Sequence, residues 1–224
     1  VIQLGAILAV LRLSSARIAQ VLAGLTRGDE QGRKLLQCLV VAFLPAAVAG
    51  LTLNDVIDEH LFKPGPVILA WILGGFVILW WDKTYGKKGG GQPLEALHWR
   101  AELAIGLFQC VALWPGTSRS LMTIMGGVAV GLCLPAAVEF SFLLGFLTLG
   151  AASVYYGLKH FSSLATLGPG VVMVGTLASG ISAYMAVRWM VDWIQRKGLA
   201  VFGYWRIIAG LVVGYLAASG WLTI

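Results

Sequence analysis

The chain has 224 residues, 58% of them hydrophobic and only 12% charged, with a net charge of +6. Soluble domains carry roughly 25% charged residues, so this composition excludes a soluble globular domain and indicates one membrane domain over 1–224. The basic excess is confined to a few connections between apolar runs, which gives no argument for nucleic acid as a partner.

A membrane-spanning helix needs about 20 apolar residues. Val1 to about Val10 is apolar and then meets Arg12 and Arg17, so it reads as a helix entered partway along. Arg12 to Lys34 reads as a basic connection with five of the chain's Lys and Arg residues. Leu35 to Leu53 is a predicted span, and Pro45 is expected to kink it because it removes a backbone donor. Asn54 to Gly65 holds Asp55, Asp58, Glu59, His60 and Lys63 and reads as a short acidic loop. Val67 to Trp81 spans next, closing on an aromatic pair suited to an interface. Asp82 to Gln92 is basic and glycine-rich; it lacks the spacing of a phosphate-binding loop and reads as a flexible linker.

Beyond the central segment, Pro135 opens a helix running to about Leu158. Lys159 to Gly168 is a short loop, and Gly170 to about Trp193 spans again. Gln195 to Gly198 carries Arg196 and Lys197, and Phe202 to Leu222 is the last span. Cys38, Cys110 and Cys133 fall in apolar segments without a pairing or ligand pattern, so they read as small core residues. The 29 glycines suit close helix packing. The expected fold is an all-α polytopic helix bundle.

One stretch departs from this pattern. Ala112-Leu113-Trp114-Pro115-Gly116-Thr117-Ser118-Arg119-Ser120-Leu121-Met122-Thr123 lies between two apolar runs, Ala101 to Val111 and Ile124 to Leu134. Pro115 lacks an N–H and Gly116 tolerates dihedrals that other residues avoid, so a helix should stop there. The next helix then starts with unpaired N–H groups, an end that carries partial positive charge and favours anions. Arg119 adds a permanent cation with a planar donor fork suited to phosphate. Thr117, Ser118, Ser120 and Thr123 add hydroxyls. A plain turn with a snorkelling arginine is the simpler reading. Irregular backbone within a bilayer, however, survives only when buried in protein or lining a cavity, which favours a phosphate cradle.

Loop charges set an orientation. Arg12, Arg17, Arg27, Arg33 and Lys34, then Lys83, Lys87, Lys88 and Arg100, then Arg188, Arg196, Lys197 and Arg206 fall in or beside three connections. The loops at 54–65 and 159–168 hold one lysine each. Positive residues favour the cytoplasm, so 12–34, 82–98 and 195–201 are predicted inside and the other two loops outside. Residues 99–134 then enter and leave on the cytoplasmic side, a re-entrant pair with Pro115-Gly116 at its tip. Val1-Ile2-Gln3-Leu4-Gly5-Ala6-Ile7-Leu8 lines up with Ala137-Val138-Glu139-Phe140-Ser141-Phe142-Leu143-Leu144, and the two helices run oppositely. That pattern predicts an inverted repeat, 1–98 being the remainder of the first copy and 99–224 the second. A re-entrant pair matching 99–136 is then expected before Val1.

Phe108-Gln109-Cys110-Val111-Ala112-Leu113-Trp114-Pro115-Gly116-Thr117-Ser118-Arg119-Ser120, with Thr123, resembles the second motif of the undecaprenyl pyrophosphate phosphatases, the bacitracin-resistance family. Val1 to Val10 and Glu139-Phe140-Ser141-Phe142-Leu143-Leu144 are similar to two further family stretches, in matching order and spacing. The resemblance implies an enzyme of the bacterial inner membrane that removes the terminal phosphate of a C55 isoprenoid diphosphate, recycling the lipid carrier of cell-wall synthesis. It implies Arg119, Ser118 and Thr123 as active-site residues and Gly116, Thr117 and Ser120 as the phosphate cradle. It leaves room for a divalent cation, magnesium or calcium, as cofactor. Its partners are the isoprenoid diphosphate and membrane lipids, with a homodimer left open.

Two departures stand out. Leu121 occupies a position where the family usually has glycine, and a bulky residue there alters close packing or narrows access. The family's other motif, with paired glutamates and a Ser-Ser-Thr-Gly-His run, is absent; in the family it precedes the stretch matching Val1. Diphosphate hydrolysis needs a nucleophile or activated water, an acid or base, and charge neutralisation. This chain supplies the last of these. His60, His98 and His160 fall in or beside loops. Glu102 and Glu139 are the nearest carboxylates, with capping or packing competing with a site role for Glu139. Gln109 either reaches into the site or serves as polar glue between helices. A chain that begins at Val1 is therefore expected not to turn over substrate. A transporter or flippase of isoprenoid phosphates is the competing function, and a silent binding scaffold a third.

Overall fold

In a bilayer the backbone has no partner but itself, so apolar runs must coil into helices. A computed structural model describes residues 2–85, 90–159 and 168–221, and the regular structure there is helical apart from one isolated bridge. Residues 86–89 of the glycine-rich stretch and most of the 159–168 loop, His160 included, lie outside the described residues. In chain order the helices are α1 (Ile2–Leu13), α2 (Ser15–Thr26), α3 (Glu30–Thr52), α4 (Asn54–His60), α5 (Pro64–Tyr85), α6 (Trp99–Val111), α7 (Arg119–Ala129), α8 (Leu134–Lys159), α9 (Pro169–Lys197) and α10 (Ala200–Ala218). Five of them, α3, α5, α8, α9 and α10, are long and apolar enough to cross a membrane. The chain is an all-α polytopic membrane protein.

Two segments read as loops are helical. The Arg12 to Lys34 connection contains α2, which turns 85° away from α1. Ile18 and Val21 pack α2 against the core. It crosses α3 where Gly24 and Gly32 meet, a contact that leaves no room for a Cβ on either. Asp29 caps α3, its carboxylate accepting the Gly32 N–H at 2.8 Å, so that span starts five residues before Leu35. The acidic 54–65 stretch is mostly α4. Pro45 lies inside α3 and packs its ring where Gly106 of α6 comes close.

Arg17, read as part of a basic connection, ties three elements together. Its guanidinium donates to Glu139 of α8 at 3.0 and 3.3 Å, to Glu95 at 2.8 Å and to Gln20 at 3.1 Å. The Glu95 carboxyl is held below the usual carboxylate range, first by a backbone hydrogen bond and then by Arg17. The Glu95 arm of this clasp is therefore fully formed above the ordinary carboxylate range and is lost as pH falls through the depressed value.

The main packing pairs are α5 with α10, α1 with α9, α3 with α6, α7 with α8, α2 with α3 and α6 with α7. At the centre, Ile105 of α6, Ile124 of α7 and Ile78 of α5 are fully buried with Phe140, Leu143 and Leu144 of α8.

The two short helices α6 and α7, 13 and 11 residues, rise about 20 and 17 Å, well short of a hydrocarbon layer about 30 Å thick. They pack on each other, and the chain leading into α6 is bonded to the chain leaving α7. The Gln92 N–H donates to Gly131 O at 2.8 Å, and the Cys133 N–H donates to Gln92 O at 3.0 Å. Residues 99–134 thus form a closed helical hairpin around the Pro115-Gly116 turn.

Candidate active site

The turn at the hairpin tip is built by the residues that end α6. Ala112, Leu113 and Trp114 donate their N–H groups three residues back, to Gln109, Cys110 and Val111. The Trp114 indole N–H then reaches Pro66 O of α5 at 3.2 Å, which seats the tip. Gly116 follows with φ +95°; a Cβ there would lie 2.9 Å from Val67 O and 3.2 Å from Ala70 Cβ. Only glycine fits that backbone and that contact.

Ser118 caps α7, its Oγ accepting the Leu121 N–H at 3.4 Å. Among the described residues the N–H groups of Arg119 and Ser120 meet no acceptor. Two free donors at a helix start, with the partial positive charge of that end, form an anion site. Two arginines belong to this region, Arg119 as the first residue of α7 and Arg206 bonded to the hairpin tip. Arg119 donates from Nη1 to Gly145 O of α8 at 3.1 Å and lies against Gly145, where a Cβ would stand 2.7 Å from Nη2. Arg206 of α10 donates from Nη2 to Gly116 O and, at 3.3 Å, to Ala70 O, while its Nε has no partner.

Arg206 is a candidate site residue that sequence reasoning missed, since it bonds the hairpin tip and lines the cavity beside it. It reads as flanking a basic connection, yet it sits inside the apolar span α10. A charge well inside a span was the available signal.

The other expected residues divide into those at the cradle and those supporting it. Ser118 and Ser120 line a cavity of about 190 Å³ beside Arg206. Thr117 turns both donors back on α6: its N–H and hydroxyl go to Trp114 O, and the hydroxyl also approaches Val111 O. Thr123 is buried, and its Oγ1 meets Arg119 O and Ser120 O at 3.1 Å and Ser141 Oγ at 2.6 Å. It ties the start of α7 to α8.

Gln109 is also buried; its amide N–H reaches Thr148 Oγ1 of α8 at 3.5 Å, and its Oε1 is unpartnered. The Glu139 carboxylate is engaged elsewhere, by Arg17. Glu102 is buried against α3, where Cys38 Sγ donates to Oε1 at 2.9 Å and Oε2 has no partner. His60 is exposed at the end of α4, and His98 precedes α6 at the base of the hairpin.

Among the described residues no three His, Cys, Asp or Glu side chains come together to hold a metal. The cradle itself offers hydroxyl, guanidinium and N–H groups. Such a donor set matches an anion and does not fit a resident divalent cation.

Known proteins share this sequence over most of its length. The model of the bacitracin resistance protein BacA family matches residues 1–212. The chain is similar to undecaprenyl-diphosphatase 2 of Rhodospirillum rubrum, 46% identical over 220 residues that cover 98% of this chain and 80% of the relative. It is similar to undecaprenyl-diphosphatase 1 of Chromobacterium violaceum at 45% over 212 residues, 95% of this chain and 78% of the relative. Undecaprenyl-diphosphatase of Sorangium cellulosum is 41% identical over 220 residues, covering 96% of this chain and 72% of the relative. By the family match over nearly its whole length, this chain belongs to the bacitracin resistance protein BacA family.

Proposed function

We propose that the protein hydrolyses undecaprenyl diphosphate to undecaprenyl phosphate and inorganic phosphate, returning the lipid carrier to cell-wall synthesis. The carrying observation is the start of α7, where two unpaired N–H groups and a cavity lined by Ser118, Ser120 and Arg206 occur inside an otherwise apolar bundle, in a helix that Arg119 opens. Phosphoryl transfer asks the protein mainly to position the phosphate and neutralise charge that builds on its oxygens. The free N–H groups and Arg119 hold the terminal phosphate, and the Ser118 and Ser120 hydroxyls donate to its oxygens. Thr123 positions Arg119 and Ser120 by fixing the first turn of α7 on Ser141. Water adds to the terminal phosphorus as its bond to the bridging oxygen breaks, leaving the lipid monophosphate. The transport reading is not favoured, because the relatives it would have to share a function with are named diphosphatases.

The test is inorganic phosphate release from undecaprenyl diphosphate by the product of the complete open reading frame, in detergent or liposomes. Release that depends on protein amount and is abolished by Arg119→Ala is expected. Lipid movement across liposomes without phosphate release would replace this reading with transport.

The proposed setting is the bacterial inner membrane, with 12–34, 82–98 and 195–201 cytoplasmic and 54–65 and 159–168 outside. On that orientation 99–134 is re-entrant, and its tip, bonded to Pro66 and packed on Val67, lies near the outer end of α5. Single cysteines placed at Gln92 and Pro135, in a background without Cys38, Cys110 and Cys133, are expected to label from the same face of inverted and right-side-out vesicles. Labelling from opposite faces would make 99–134 a single crossing.

A further inference from the structure

The cavity beside Ser118 and Ser120 is amphipathic in one direction only. Its polar end is those two serines and Arg206, and the rest is hydrocarbon contributed by four helices. Leu121 and Ile124 come from α7, Ile78 from α5, Ile194 from α9, and Phe202 and Trp205 from α10. Ile78, Ile124, Ile194 and Leu121 are buried, so this is an interior slot and not a lipid-washed groove. Trp205, by contrast, is 68% exposed, which places one wall of the slot at the surface of the bundle that faces lipid.

Resting on the hydrolase reading above, we infer that this slot holds the isoprene units nearest the diphosphate, with Leu121 and Ile194 as its size-determining walls. Three observations converge. The polar end is formed by the same turn of α7 whose N–H groups face the phosphate, so an occupant has an oxyanion at one end and hydrocarbon at the other. The volume, about 190 Å³, is below the roughly 300–1,000 Å³ of sites that engulf a whole ligand, so it takes a segment of a long chain. The open side at Trp205 lets the remaining chain leave into lipid between α9 and α10. Leu121 stands one residue from Ser120 on the cavity wall and sets how closely the first isoprene unit follows the phosphate.

The experiment compares two substrates on the full chain. Farnesyl diphosphate carries head and tail; methyl diphosphate keeps the reacting group and has no tail. Ile194→Trp fills the slot from α9, and Leu121→Ala widens it from α7. Ile194→Trp is expected to raise KM for farnesyl diphosphate at least about tenfold while moving KM for methyl diphosphate less than about twofold. Leu121→Ala is expected to change KM for farnesyl diphosphate alone. Equal losses on both substrates, or no change on either, would overturn the assignment.

A second measurement needs no turnover and does not depend on variants folding. Farnesyl monophosphate with a photoreactive group on its first isoprene unit is expected to label residues within 118–124, 190–194 and 199–206. Adducts elsewhere would overturn the slot. Failure of the wild-type protein to release phosphate would instead sink the hydrolase reading, leaving the photolabel to judge the slot.

Discussion

Arg119→Lys is expected to lower phosphate release by about 10²-fold or more, the usual cost of losing one preorganised charged donor at a developing anion. The structure explains why keeping the charge is not enough. Arg119 donates from Nη1 to Gly145 O at 3.1 Å and packs where Gly145 has no side chain, and its other donors are proposed to meet the phosphate. A lysine ammonium is a compact, strongly hydrated point charge without a planar fork, so it cannot hold the carbonyl and the phosphate in the same geometry. The measurement is the rate of phosphate release at saturating substrate, with extraction yield and thermal midpoint alongside. A lysine variant that keeps wild-type stability and turns over within about threefold of wild type would remove Arg119 from the reaction.

Gly116→Ala is expected to act on stability and activity together. The φ of +95° is one that residues with a side chain rarely adopt, and the added Cβ would meet Val67 O at 2.9 Å with Ala70 and Trp71 close behind. Backbone strain of this kind costs about 1–3 kcal/mol. The chain can escape only by lifting the tip from α5. That would stretch the Trp114–Pro66 bond and pull Gly116 O from Arg206, so the hairpin tip loses its bond to that cation. A lower thermal midpoint of the detergent-solubilised protein is expected, with phosphate release reduced more than unfolding alone explains. An unchanged midpoint would show that the tip is not seated as described.

Both positions are legible in the sequence because local chemistry defines them. Pro115-Gly116 breaks a helix whatever surrounds it, and Ser118 is a good cap wherever a helix begins. The long spans are legible for the same reason, since apolar length alone decides them. What eludes the sequence depends on partners far along the chain. Arg17 reads as part of a basic connection because nothing local announces Glu139, 122 residues on. The α2 helix hides in a basic stretch because its packing on Ile18 and Val21 is sparse, and its close crossing with α3 rests on two glycines. Arg206 is misplaced because loop-charge reasoning groups it with Arg196 and Lys197, although it lies within α10 and bonds to the hairpin tip. Thr117 and Thr123 are counted as donors to phosphate because a hydroxyl's direction is invisible in a sequence; in the fold both turn to carbonyl groups of the hairpin.

The closure of the hairpin at Gln92 uses main-chain groups only, one N–H and one carbonyl shared with Gly131 and Cys133. Such bonds are blind to side-chain identity, and the Gln92 side chain is itself exposed. Inheritance can therefore rewrite position 92 with almost any residue but proline, which would delete the donor. Gly91 beside it has no such freedom, because φ +131° and the nearness of Cys133 N exclude a side chain. The mouth of the hairpin thus offers evolution one site of wide latitude beside one of none. Changes at the permissive site stay local, since the tip lies a whole α6 away, about 20 Å.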